Sequence, residues 1–133
     1  MTSLYLSDNV IGENCGTYLS QLIESTSTLQ LLDISNNYLV RAGCCLVFES
    51  LRSNSTLKTL LISGNNIGPF GVKDLLLLIE SNRTLTKLDL SSNRLGLKGV
   101  VSILESLQSN PILSTVYLSC ISFLPPLYQI FFR

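Results

Sequence analysis

The sequence predicts a curved α/β solenoid, with short parallel strands on its concave face and helices on its convex face. Three observations lead there. Leucine supplies 28 of the 133 residues. Apolar residues and asparagines recur at a fixed step of 28 residues. Within each step a segment of strand periodicity is followed by one of helix periodicity.

The repeat can be followed position by position. Leu29, Leu32, Ile34, Asn37 and Leu39 align with Leu57, Leu60, Ile62, Asn65 and Ile67, and again with Leu85, Leu88, Leu90, Asn93 and Leu95. Stepping back reaches Met1, Leu4, Leu6, Asn9 and Ile11, and stepping forward opens a fifth copy at Leu113, Val116 and Leu118. Repeats therefore start near residues 1, 29, 57, 85 and 113, which makes 1–119 one array. The first half of each unit alternates apolar and other residues, as a strand does. The second half carries Gly43, Gly71 or Gly99, after which a helix is expected. Gly99–Leu107, for example, has apolar spacings of three and four. A Ser-Asn pair then marks a turn, at Ser53-Asn54, Ser81-Asn82 and Ser109-Asn110.

The in-phase asparagines Asn9, Asn37, Asn65 and Asn93 fall where the chain leaves the strand. Turning there inside a core strands backbone N–H and C=O groups at substantial cost. An asparagine amide both donates and accepts, so a stacked column of them is expected to satisfy those groups as a structural ladder.

This strand–helix unit, closing on Ser-Asn-x-Thr-Leu before the next repeat, resembles the ribonuclease-inhibitor-like subclass of leucine-rich repeats over roughly residues 1–120. Members include ribonuclease inhibitor, the sensor arrays of nucleotide-binding immune receptors, the Ran GTPase-activating protein and tropomodulin. Some carry cysteine where this chain has its asparagine column. The resemblance implies a cytoplasmic chain that works by binding protein, without catalysis or cofactor. Two narrower functions follow from particular members: a fragment of an immune-receptor sensor array, or a small-GTPase regulator of the Ran-activator type. The first would need a nucleotide-binding domain and the second usually an acidic tail; neither occurs in this sequence.

Composition supports that class. Lys+Arg and Asp+Glu are 9 each, with no basic block, which disfavours nucleic acid as a partner. Histidine is absent, which removes the commonest acid–base group and metal ligand. Cys15, Cys44, Cys45 and Cys120 contain no CxxC spacing, so no metal site is expected and the cysteines read as reduced thiols used as small hydrophobes. The first twenty residues show no basic start and no continuous apolar stretch, so no secretory signal is expected. Asn54-Ser-Thr56 and Asn82-Arg-Thr84 match the glycosylation sequon, but the repeat itself explains both.

Residues between the strand leucines should face outward on the concave sheet. They form three columns: Ser3, Leu31, Thr59, Lys87 and Thr115; Tyr5, Asp33, Leu61, Asp89 and Tyr117; and Ser7, Ser35, Ser63, Ser91 and Ser119. The all-serine column suits a tight strand exit. The other two offer Tyr5, Leu31, Asp33, Thr59, Leu61, Lys87, Asp89 and Tyr117 as partner-binding residues, a mixture in which tyrosine is a frequent hot spot. Five strands at ~4.8 Å, each showing five residues at ~3.3 Å, give a face on the order of 400 Å². That is about half of what a standard interface buries per partner. Either the affinity is modest, or loops and helices contribute, or the chain is part of, or derived from, a longer array. The last is expected because Met1 itself fills the first leucine position with no cap before it, and self-association through uncapped ends is one consequence.

The fifth repeat departs from the pattern. Ile121 and Leu127 stand where asparagine and glycine are due, and no charged residue occurs from Ser106 to Phe132. Residues 120–133 thus read as a degenerate apolar tail. It could be a cap over the last repeat, a truncated continuation of the array, or a membrane span, the last disfavoured by Pro125-Pro126.

Overall fold

A computed structural model describes residues 1–119 together with the backbone of residues 131–132. Five three-residue strands, β1 (Ser3–Tyr5), β2 (Leu31–Asp33), β3 (Thr59–Leu61), β4 (Lys87–Asp89) and β5 (Thr115–Tyr117), form a parallel sheet in sequence order. Each pairs with the next at the 28-residue step, so Leu4, Leu32, Leu60, Leu88 and Val116 lie in one row. A sixth strand, β6 (Phe131–Phe132), pairs antiparallel with β5. The expected departures at Ile121 and Leu127, and Cys120, lie outside the described residues.

Four helices cover the other face: α1 (Gly16–Ser25), α2 (Val40–Leu51), α3 (Val72–Ser81) and α4 (Gly96–Leu107). One-turn 3-10 helices, Glu13–Cys15 and Pro69–Gly71, lead into α1 and α3. The glycines do not all precede their helices. Gly43 and Gly99 lie inside the first turn of α2 and α4, because those helices start three residues earlier. What Gly43 provides is close approach: a Cβ on Gly16 would stand 2.6 Å from the Gly43 Cα, so α1 and α2 meet backbone to backbone.

The core is the repeat's own ladder. Leu32, Leu60 and Leu88 from the strands and Val47, Leu75 and Ile103 from the helices are fully buried. Each such side chain contributes about 1.5–3 kcal/mol on burial. In the first repeat Leu4, Leu6 and Ile11 are only half-buried.

Two asparagine columns hold the turns. On the strand-exit side, the Asn65 Oδ1 accepts from the N–H of Asn37 (3.1 Å) and of Leu39 (3.2 Å), and its Nδ2 donates to the Ile34 carbonyl (2.8 Å). Asn37 does the same for Asn9 and Ile11, and Asn93 for Asn65 and Ile67. Asn37, Asn65 and Asn93 are buried, while Asn9 is exposed. On the helix-exit side a second column, Asn54, Asn82 and Asn110, uses the same chemistry. The Asn82 Oδ1 accepts from Thr84 and Leu85, both at 2.8 Å, while its Nδ2 donates to the Leu51 carbonyl at 2.7 Å. The Nδ2 that a glycan would occupy is thus inside the protein at Asn82.

Around the first column the backbone enters the left-handed region three times per repeat. Asp8, Asn36, Gly64 and Ser92 have φ of 60°, 54°, 64° and 56°. Val10, Tyr38, Asn66 and Arg94 have 51°, 55°, 58° and 54°. Gly12, Val40, Gly68 and Gly96 have 78°, 48°, 71° and 74°. The left-handed excursions turn the chain sharply from strand to helix, and they favour glycine or asparagine over a β-branched residue.

Candidate functional site

The sheet brings the outward residues of all five strands into register. Tyr5, Asp33, Leu61, Asp89 and Tyr117 are directly paired neighbours, and so are Ser3, Leu31, Thr59, Lys87 and Thr115. Tyr5 is 64% exposed, and the other named candidates, Leu31 to Tyr117, are half-buried by their neighbours. The alternation that buries Leu32, Leu60 and Leu88 is what presents these two columns to the outside.

Local bonds fix some of these side chains. The Asp33 Oδ1 accepts from the Ser35 N–H at 3.0 Å, and the Asp89 Oδ1 from the Ser91 N–H at 3.0 Å. Each aspartate therefore caps its own strand exit through Oδ1. The Lys87 Nζ lies 5.2 Å from the centroid of the Tyr117 ring, a cation–π contact between β4 and β5. The serine column belongs to the strand exit. Ser35 is buried, and the Ser91 Oγ accepts from the Ser119 N–H at 3.2 Å.

Sequence reasoning did not find the double use of Asp33 and Asp89. Its signal was the repeated Asp-x-Ser at Asp33–Ser35 and Asp89–Ser91. Nor did it find an open cleft of about 610 Å³ on the helical side, lined by Glu13, Arg41, Cys45 and Asp74 among others. There the Cys45 thiol donates to the Asp74 Oδ2 at 2.9 Å. Burial first, and Asp74 second, push this thiol up to about 11, so it is a protonated thiol at neutral pH rather than a nucleophilic thiolate. Burial also raises Cys44 well above the usual thiol range, with the neighbouring Cys45 adding to it. Among the described residues, Cys15, Cys44 and Cys45 are free, and no group of three or more His, Cys, Asp or Glu could hold a metal. No helix among them is long and apolar enough to cross a membrane.

Comparison with known proteins agrees with this geometry. The family model described as leucine-rich repeat matches residues 53–76 and 81–104. The fold is a leucine-rich-repeat solenoid. Among solved structures it is similar to leiomodin-1 actin-binding site 2, at 20% identity and a TM-score of 0.83, over 90% of this chain and 71% of that one. It is also similar to the tropomodulin C-terminal domain of Caenorhabditis elegans, at 15% identity and a TM-score of 0.72, over 92% of this chain and 76% of that one. At these identities the likeness is one of fold. No curated protein matches the sequence.

Proposed function

We propose that the chain is a non-catalytic protein-interaction module that binds a partner protein on its concave sheet, and that it acts in the cytoplasm. The supporting observation is the column Tyr5–Asp33–Leu61–Asp89–Tyr117. It sets two aromatic rings, two carboxylates and an apolar side chain in register on a sheet fixed by buried leucines behind it. Protein interfaces concentrate binding energy in pre-arranged aromatic side chains such as Tyr5 and Tyr117, and fixed carboxylates add charge selectivity. The 28-residue strand–helix step further supports placing the repeats in the ribonuclease-inhibitor-like subclass. The immune-sensor and GTPase-regulator readings gain no support from the structural neighbours.

Affinity capture with the full chain as bait tests the proposal, against Tyr5→Ala, Asp33→Asn and Tyr117→Ala. The Asn variant keeps an acceptor for the Ser35 N–H and removes only the charge. Because the leiomodin-1 neighbour is described as an actin-binding site, purified actin is one defined prey to include. The bound protein should be lost from the Tyr5 and Tyr117 variants. Undiminished recovery with all three would refute the concave face as the binding surface.

A further inference from the structure

The concave face has dimensions and a chemical order that narrow its occupant. Each strand is three residues long, or ~10 Å, and five strands at ~4.8 Å span ~24 Å. A helix is ~10–12 Å across with its side chains, and 16 residues of it are ~24 Å long. One helix laid across the strands therefore matches β1–β5, with β6 continuing the sheet beyond β5, whereas a globular partner needs about 800 Å² per side.

The order of side chains across the strands is aromatic, acid, apolar, acid, aromatic. They recur at the strand spacing of ~4.8 Å. On a helix, positions of one seam recur every 3.5 residues on average, or ~5.2 Å. Over five strands the two series differ by only ~2 Å, which a modest tilt removes. An extended segment shows same-face side chains every ~6.6 Å and is off by ~3.6 Å, more than half a strand spacing, by the third strand. Charge sets the rest. Asp33 and Asp89 sit on either side of Leu61, and among the described residues neither is ion-paired. Lys87 lies two residues before Asp89 on the same face of β4, so it offsets part of the negative charge at that end. Asp33 has no such neighbour in its column position, where Leu31 stands.

We infer that the concave column Tyr5–Asp33–Leu61–Asp89–Tyr117 seats one amphipathic helix of a partner protein, carrying a basic residue one turn to either side of a central apolar residue. This rests on the concave face being the binding surface. The helix's central apolar residue packs on Leu61, its two cations meet Asp33 and Asp89, and apolar residues a further turn out cover Tyr5 and Tyr117. The Asp33 contact is the stronger of the two.

The test is an amide NMR titration of the full chain with three stapled, alanine-based 16-residue helices. The first has a central Leu, Lys one turn to each side and Leu at the outer positions of the same face. The second has Glu in place of both Lys. The third carries the two Lys on the opposite face. The first peptide should shift amides of β1–β5 and bind at least tenfold more tightly than either other. Asp33→Asn should weaken it about fivefold, Asp89→Asn by less, and Lys87→Gln should tighten it. Equal binding of the Lys and Glu peptides, or shifts confined to α1–α4, would overturn the inference. If bait capture still depends on Tyr5 and Tyr117 in that event, only the helix inference fails; if capture is also indifferent to them, the concave-face reading fails with it.

Discussion

Removing the Asn65 side chain should be among the most costly single changes in the array. In Asn65→Ala, the N–H groups of Asn37 and Leu39 lose the acceptor they share, and the Ile34 carbonyl loses its donor. All of these residues are fully buried, so water cannot easily replace the amide. A buried backbone group left without a partner costs about 1–3 kcal/mol, which places the loss at about 3 kcal/mol or more. The other two carbonyls Asn65 serves are less affected, since Ile62 also accepts from Asn93 and Ser63 from the Asn36 N–H. Asn9 is the internal control. It occupies the same phase but is exposed, and its Nδ2 bonds are local, to Leu6 and Ser7. Asn9→Ala should cost under about 1 kcal/mol. Urea unfolding of the two variants beside the parent chain measures both values. If Asn65→Ala and Asn9→Ala agree within about 0.5 kcal/mol, the asparagines are not the turn's hydrogen-bond partners in solution.

Other perturbations test the backbone and the thiols. A Cβ at Gly68 would meet nothing within 4 Å, yet its φ of 71° and ψ of 172° belong to a region open almost only to glycine, so Gly68→Ala isolates backbone strain and should cost about 1–3 kcal/mol in denaturant unfolding. Val40 occupies the same phase at φ 48°. Compared with Val40→Ala, which also removes the half-buried isopropyl group, Val40→Gly should be more stable by about 0.5–1 kcal/mol after the extra chain entropy of glycine is counted, and a less stable glycine variant would contradict this. Cys44 and Cys45 hold their protons to higher pH in the folded chain than the usual thiol value of 9.0. Stability is thus fully present below about pH 9 and falls as pH rises toward and beyond 11, with fully buried Cys44 giving a slope of up to about 1.4 kcal/mol per pH unit. Urea midpoints from pH 8 to 11 should fall less steeply for Cys44→Ala than for the parent, and equal slopes would refute the assignment.

The repeat was legible because its apolar phases are chemically uniform. Leu32, Leu60 and Leu88 can be aligned by eye, and the strand register follows from the step alone. The outward columns were legible for the same reason, since alternation leaves them no other face. The left-handed positions were not. Their phase is filled by Val10, Tyr38, Asn66 and Arg94, which share no side-chain property, so only the glycines at 12, 64, 68 and 96 hint at them. The second asparagine column was visible as a Ser-Asn turn. That the Asn82 amide also bonds the Leu51 carbonyl, 31 positions earlier, depends on how adjacent repeats stack. Helix starts were misplaced at Gly43 and Gly99 because a glycine needed for close packing looks the same in sequence as one that ends a turn.

Site-specific photo-crosslinking tests the concave face most directly. A benzophenone amino acid replaces either Leu61, at the centre of the concave column, or Phe70, which is 81% exposed on the turn before α3. Irradiation in cells followed by denaturing purification should give a discrete partner adduct from position 61 and none from position 70. An adduct from position 70 with none from position 61 would contradict recognition through the concave sheet.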